Sequence, residues 1–184
     1  MARIAEPGRA ETILTAALEE FSENGYDRTR MNHIAQRASI ASGTIYLYFE
    51  SKEAIVKALA EEYHKRLNAA LLPLFKEPAT KANLKRIAIA SLKFAVDDID
   101  SLRLCGLVGY SSSETAEKFH TFLTTWLKEQ MDTGYMKRTE PSALAQLLIG
   151  LVERAADSVV TRGERVEDYQ AVLAHIYYGL LADN

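Results

Sequence analysis

"ASGTIYLYFESKEAI", residues 41–55, decides how the chain is built. It opens on three small residues, Ser42-Gly43-Thr44, and then places Ile45, Tyr48 and Phe49 on one helical face with Tyr46 pointing away from it. It closes on Ser51, a good N-cap with Glu53 in the following first turn, so a new helix begins there. A short helix with bare, small leading residues is followed at once by a longer one.

Working back toward the N-terminus, Met31, Ile34, Ala35 and Ala38 keep helical spacing, and Ser39-Ile40-Ala41 interrupts the pattern. Two short helices joined by about four residues predict a helix-turn-helix. Before them, Ile13, Leu14, Ala17, Leu18 and Phe21 share a face, and Gly25 is placed to cap the C-terminus. Three helices thus form a head.

Working forward, Ile55, Leu59, Tyr63, Leu67 and Leu71 recur every four residues until Pro73, which predicts a long lever helix. Helical stripes then continue over Leu84 to Ala95, over Phe119 to Leu127 after the capping-box spacing Ser111 to Glu114, and over Leu144 to Val159 behind Pro141. A last stripe runs from Tyr169 to Leu181, whereas residues 99–110 show no clear pattern. The expected fold is all-α, with a head at residues 1–55 fused through the lever to a larger helical body at 56–184.

Composition agrees with a soluble helical protein: 48% hydrophobic and 26% charged residues among 184, nine Gly and four Pro. The net charge of −3 excludes a polybasic nucleic-acid coat, yet an acidic run from Glu11 to Asp27 is followed by Arg28, Arg30, Arg37, Lys52 and Lys57. One cysteine, Cys105, excludes an internal disulfide framework. No apolar stretch approaches the ~20 residues of a membrane span, and a cytoplasmic location is expected. His33, His64, His120 and His175 lack ligand spacing, so no metal, cofactor or catalytic residue is expected.

A helix entering the major groove needs small residues at its leading end and donors that reach phosphates. Ser42, Gly43 and Thr44 meet the first need, and Tyr46, Tyr48 and Lys52 the second. Between Ser39 and Phe49, however, there is no Arg, Lys, Asn, Gln, Asp or Glu. The bidentate contacts that each discriminate bases by ~1–3 kcal/mol are therefore absent from this helix. Base reading falls to Arg30 and Asn32 at the start of the second helix, to Arg3 or Arg9 in an N-terminal arm, and to DNA shape.

The longer stretch "GYDRTRMNHIAQRASIASGTIYLYFESKEAI" resembles the DNA-binding segment of TetR-type transcriptional regulators, most specifically over Gly43-Thr44-Ile45-Tyr46 and Ser51-Lys52-Glu53. The resemblance implies a homodimer that binds double-stranded DNA, with a body responsive to a small-molecule effector, usually acting as a repressor. By position in the motif, Thr29, Tyr46, Tyr48 and Lys52 would touch phosphates, Ser42, Gly43 and Thr44 would face the groove, and Leu47 would meet only a thymine methyl or sugar carbons. The chain departs from the family at Arg30 and Ala41, where capping Ser or Thr is usual. The alternative these departures leave open is a helical ligand-binding or protein-interaction module that has lost DNA affinity.

The last two helices each carry an apolar stripe suited to a two-chain bundle, with Leu148, Leu151, Val152, Ala155, Val172, Ile176, Tyr177 and Leu180 as the expected interface. Between head and stripe, Phe94, Tyr110, Phe122 and Trp126 are candidates to line an effector pocket, with Arg154 placed to meet an anionic ligand.

Overall fold

A computed structural model describes residues 8–108 and 114–183. The helices are α1 (Arg9–Asn24), α2 (Met31–Arg37), α3 (Ser42–Ile45), α4 (Lys52–Leu71), α5 (Lys81–Asp97), α6 (Ile99–Val108), α7 (Glu114–Asp132), α8 (Pro141–Arg162) and α9 (Val166–Tyr178), with a 3-10 turn at Leu72–Lys76. Among the described residues no strand forms. A lone antiparallel bridge between Met136 and Leu181 pins the end of the chain beside the α7–α8 turn.

The helix boundaries follow from local chemistry. Gly25 ends α1 at φ 78° and ψ 153°, a positive-φ conformation that costs a residue with a Cβ roughly 1–3 kcal/mol. Ser51 caps α4 by accepting from Ala54 N at 3.2 Å, and Thr80 does the same for α5 from Asn83 N. Pro141 occupies the first turn of α8, behind Glu140, whose carboxylate accepts from Ala143 N. At the turn between α2 and α3, Ser39 takes φ 55°, a region glycine fills without strain.

Two cores result. One gathers Ile13, Phe21, Ile34 and Ile45 with Ile55, Val56 and Leu59 from the first half of α4. The other begins at Ala60 and Tyr63 on the same helix and continues through Leu92, Trp126 and Leu127. Helix α6 also serves both, because Leu102 and Cys105 belong to the body core while Leu104 enters the head core. This dual membership explains why residues 99–107 show no single stripe: Leu102 and Cys105 face one core and Leu104 the other.

Charged contacts fix the elements further. Arg37 on α2 donates to Glu20 at 2.8 Å and to Glu23 on α1, and Arg66 on α4 pairs with Asp98 before α6 at 2.6 Å. Glu61 on α4 accepts from the Thr115 hydroxyl and backbone at the start of α7. Helix α4 is thus bound at several points to the body it leaves.

Because Leu104 is buried where a body helix enters the head core, Leu104→Ala should lower stability by ~2–5 kcal/mol. Urea unfolding followed by circular dichroism measures it; a change below about 1 kcal/mol would show that this contact does not join the two cores.

Candidate nucleic-acid interface and ligand cavity

The head presents a small, mostly uncharged surface. Ile45 is fully buried and anchors α3, while the next two side chains, Tyr46 and Leu47, are 56% and 61% exposed. Ser42 and Gly43 are exposed and Thr44 half-buried. Ala41 at the N-cap of α3 gives no side-chain bond, so this short helix keeps unsatisfied leading N–H groups, which favour an anion.

The start of α2 adds exposed Arg30 and Asn32. Arg30 makes no cap for α2, and Thr29 does not replace it. Thr29 is buried, and its hydroxyl donates to the carbonyl of Gly25 at 2.9 Å. This corrects the expected phosphate contact by Thr29: the side chain closes the α1–α2 turn and points inward.

Lys52 and Tyr48 are also partly engaged. The Lys52 ammonium donates to the Tyr26 carbonyl at 2.7 Å and lies 4.2 Å from the Tyr26 ring centroid. The Tyr26 hydroxyl in turn donates to Glu53 at 2.8 Å. Burial, then Glu53, push the Tyr26 phenol up to about 12, and the Tyr26 hydrogen bond heads the causes that hold Glu53 down at about 2. The cluster fixes the first turn of α4 against the α1–α2 turn, leaving Lys52 two of its three N–H donors. Tyr48 is half-buried against the head core, so its ring supports α3 while its edge stays at the surface.

In the body, helices α4 to α9 enclose a cavity of about 80 Å³. Its wall is almost entirely apolar, with Phe75 and Trp126 ring centroids 5.0 Å apart and Leu148 and Val152 opposite. Tyr63, His64, Leu67 and Leu71 of α4 contribute to the same wall. The titratable groups here are driven to their neutral forms: burial lowers His64, raises Glu153, and pushes Tyr177, hydrogen-bonded to Ser91, up to about 12. Such a cavity suits an uncharged, apolar guest.

The family pattern described as bacterial regulatory proteins of the tetR family matches residues 13–59, which are the three head helices and the first turns of α4. The head thus resembles that of TetR-type transcriptional regulators. It is 27% identical over 183 residues to the uncharacterized HTH-type transcriptional regulator YdgC of Bacillus subtilis (strain 168), covering 92% of this chain and 91% of that protein. It is also 27% identical over 165 residues to the fatty acid metabolism regulator protein of the same organism, covering 84% and 85%. The solved structure of the transcriptional regulator FadR from Bacillus subtilis in complex with stearoyl-CoA shares the fold, with a TM-score of 0.75 at 22% identity over 91% of this chain and 96% of that one. These similarities support a DNA-binding regulator and do not favour the module without DNA affinity.

Among the effector candidates of this regulator, Trp126 lines the cavity. Phe94 lies behind the wall, its ring 5.4 Å from that of Tyr63, and Phe122 is 36% exposed on the outer side of Phe75. Arg154 is exposed and faces Asp157 at 3.4 Å; Tyr110 and the Ser111–Ser113 part of the capping-box spacing lie outside the described residues. Sequence reasoning missed Phe75, Tyr177 and Glu153 as wall residues, because the wall is assembled from six helices and a turn.

The candidate interface divides likewise. Leu151, Val172 and Ile176 are exposed, together with Leu147 and Val160, which the expected interface had not included. Ala155 and Tyr177 are buried within the chain, and Leu148, Val152 and Leu180 line the cavity. Each of these helices has apolar residues on two adjoining faces, and a single stripe drawn through them mixes the two.

Three outcomes follow. Thr29→Val should cost ~0.5–1.5 kcal/mol of stability, by removing the hydroxyl donor while the Gly25 carbonyl keeps the backbone N–H of residue 29, without changing the salt dependence of DNA binding. Arg30→Ala should instead keep stability and lower the slope of log K against log salt by about one, in an anisotropy titration; equal slopes would remove Arg30 from the interface. The Cys105 thiol, pushed up to about 12 by burial and then by Glu153 and Asp98, should resist thiol reagents at pH 8 until urea unfolds the chain. Rapid labelling of folded protein would contradict its burial.

Proposed function

We propose that this regulator is a cytoplasmic, homodimeric repressor that binds a palindromic operator through residues 1–55 and is released when an acyl chain occupies the cavity of residues 56–184. The observation that carries the reading is that the cavity wall includes α4, whose other half lies in the head core. A guest that widens the cavity displaces the helix that positions the DNA-reading surface. It shifts the equilibrium only by its difference in affinity for the two arrangements.

The acyl class is supported by the apolar wall and by the relatives named for fatty acid metabolism and for a stearoyl-CoA complex. Dimerisation is supported by the exposed apolar side chains Leu147, Leu151, Val172 and Ile176 on α8 and α9, and by the need to present two heads ~34–36 Å apart to successive major grooves. Arg30, Asn32, Ser42, Gly43, Thr44, Tyr46, Leu47, Tyr48 and Lys52 form the proposed DNA surface. With no charged or amide side chain on α3, binding discriminates bases modestly, and its salt dependence rests on the cations beside that helix, Arg30 and Lys52.

The test is fluorescence anisotropy with the DNA flanking the regulator's own gene, titrated with palmitoyl-CoA and with acetyl-CoA. Binding at low salt, release by palmitoyl-CoA alone, and a monomeric Leu147→Glu/Val172→Glu variant with at least about tenfold weaker DNA affinity are expected. DNA retained at saturating palmitoyl-CoA would overturn the effector class. Sedimentation showing only monomers of the wild-type protein at micromolar concentration would overturn the dimer.

A further inference from the structure

The cavity has a neighbour that no feature of the acyl-chain reading requires. Between α6 and α8 lies a groove of about 400 Å³, and Leu102 and Glu153 line both spaces. A glycine stands on each wall of the groove, Gly106 on α6 and Gly150 on α8, and a Cβ built at either meets nothing within 4 Å. The space beside the neck is therefore open.

Its rim carries two arginines. Arg103 on α6 donates to Asp157 Oδ1 through Nε at 3.2 Å and Nη2 at 2.9 Å, and Nη2 also meets the Thr161 hydroxyl at 2.9 Å. Arg154 reaches the other oxygen, Asp157 Oδ2, at 3.4 Å. Two guanidiniums thus share the Asp157 carboxylate. The second acid on the groove, Glu153, has its pKa raised by burial. Both arginines are held in place by a partner that an incoming anion can replace, which lowers the ordering cost of binding one.

We propose that Arg103 and Arg154 bind the anionic head of the ligand whose acyl chain fills the cavity, the chain passing from one space to the other beside Leu102 and Glu153. The proposal rests on the acyl-chain reading and adds to it a head-group specificity. A phosphate or a carboxylate would satisfy the same guanidinium chemistry. The head would tie α6 to α8, and α6 is the helix that inserts Leu104 into the head core.

Isothermal titration of the full chain with palmitoyl-CoA, palmitate and hexadecanol separates the contributions. Wild-type protein should bind at least one anionic ligand roughly tenfold or more tightly than the alcohol, and which of the two does so identifies phosphate or carboxylate as the head. In Arg103→Gln/Arg154→Gln protein this gap should shrink to about threefold or less with hexadecanol affinity unchanged. Asp157→Asn, which removes the competing carboxylate, should tighten the anionic ligand several-fold. A gap that survives the double substitution, or no gap in the wild type while hexadecanol binds, overturns the head-group site and leaves the acyl reading intact. Failure of all three ligands to bind overturns both.

Discussion

One helix is a wall of two hydrophobic cores, and the rest of the architecture depends on that. Helix α4 runs for 20 residues, about 30 Å, with Ile55, Val56 and Leu59 in the head and Ala60, Tyr63 and Leu71 in the body. The cores part between adjacent residues, without a flexible linker, so a rotation or tilt of α4 cannot be absorbed between them. Close-packed interiors transmit such a shift. Arg66–Asp98 and Glu61–Thr115 hold the same helix from the body side, and the Lys52–Tyr26–Glu53 cluster holds it from the head side.

This rigid arrangement draws on the head's charges. Arg37 is taken up by the acidic face of α1, and Lys52 gives one donor to Tyr26. Arg28, Arg30, Asn32 and Lys57 remain exposed beside small and aromatic residues. On the proposed reading, direct base discrimination from α3 is scarce, and a two-fold arrangement of heads gains specificity through spacing.

How much of this was legible in the sequence depends on whether a signal was local. Gly25, Ser51 and Pro141 marked helix ends because each acts through its own backbone or side chain, and the α2–α3 spacing marked the helix-turn-helix. Thr29 was misread because its inward turn is set by the Gly25 carbonyl, which only the folded α1–α2 junction brings within reach. Helix α6 had no legible stripe because Leu104 and Cys105, adjacent in sequence, enter different cores. On α8 and α9 the apolar residues were found but their division between cavity and surface was not, since Leu147 and Leu148 differ only by the 100° that separates neighbours on a helix.

Magnitudes constrain how such a cavity can act as a switch. Its roughly 80 Å³ is well below the ~300–1,000 Å³ of an ordinary ligand pocket, so on the proposed reading an acyl guest moves walls to enter. Each methylene transferred from water contributes ~0.8 kcal/mol, while taking a two-state regulator from 1:99 to 99:1 needs a difference of ~5.5 kcal/mol between the states. About seven methylenes must therefore be buried in the widened state and excluded from the narrow one. A short acyl group falls under that threshold however well it binds, whereas a long chain exceeds it even after part of its burial energy is spent on displacing Phe75, Trp126 and the α4 side chains. On the proposed reading, chain length is sensed by a void that is too small at rest, and α4 carries the result to the head.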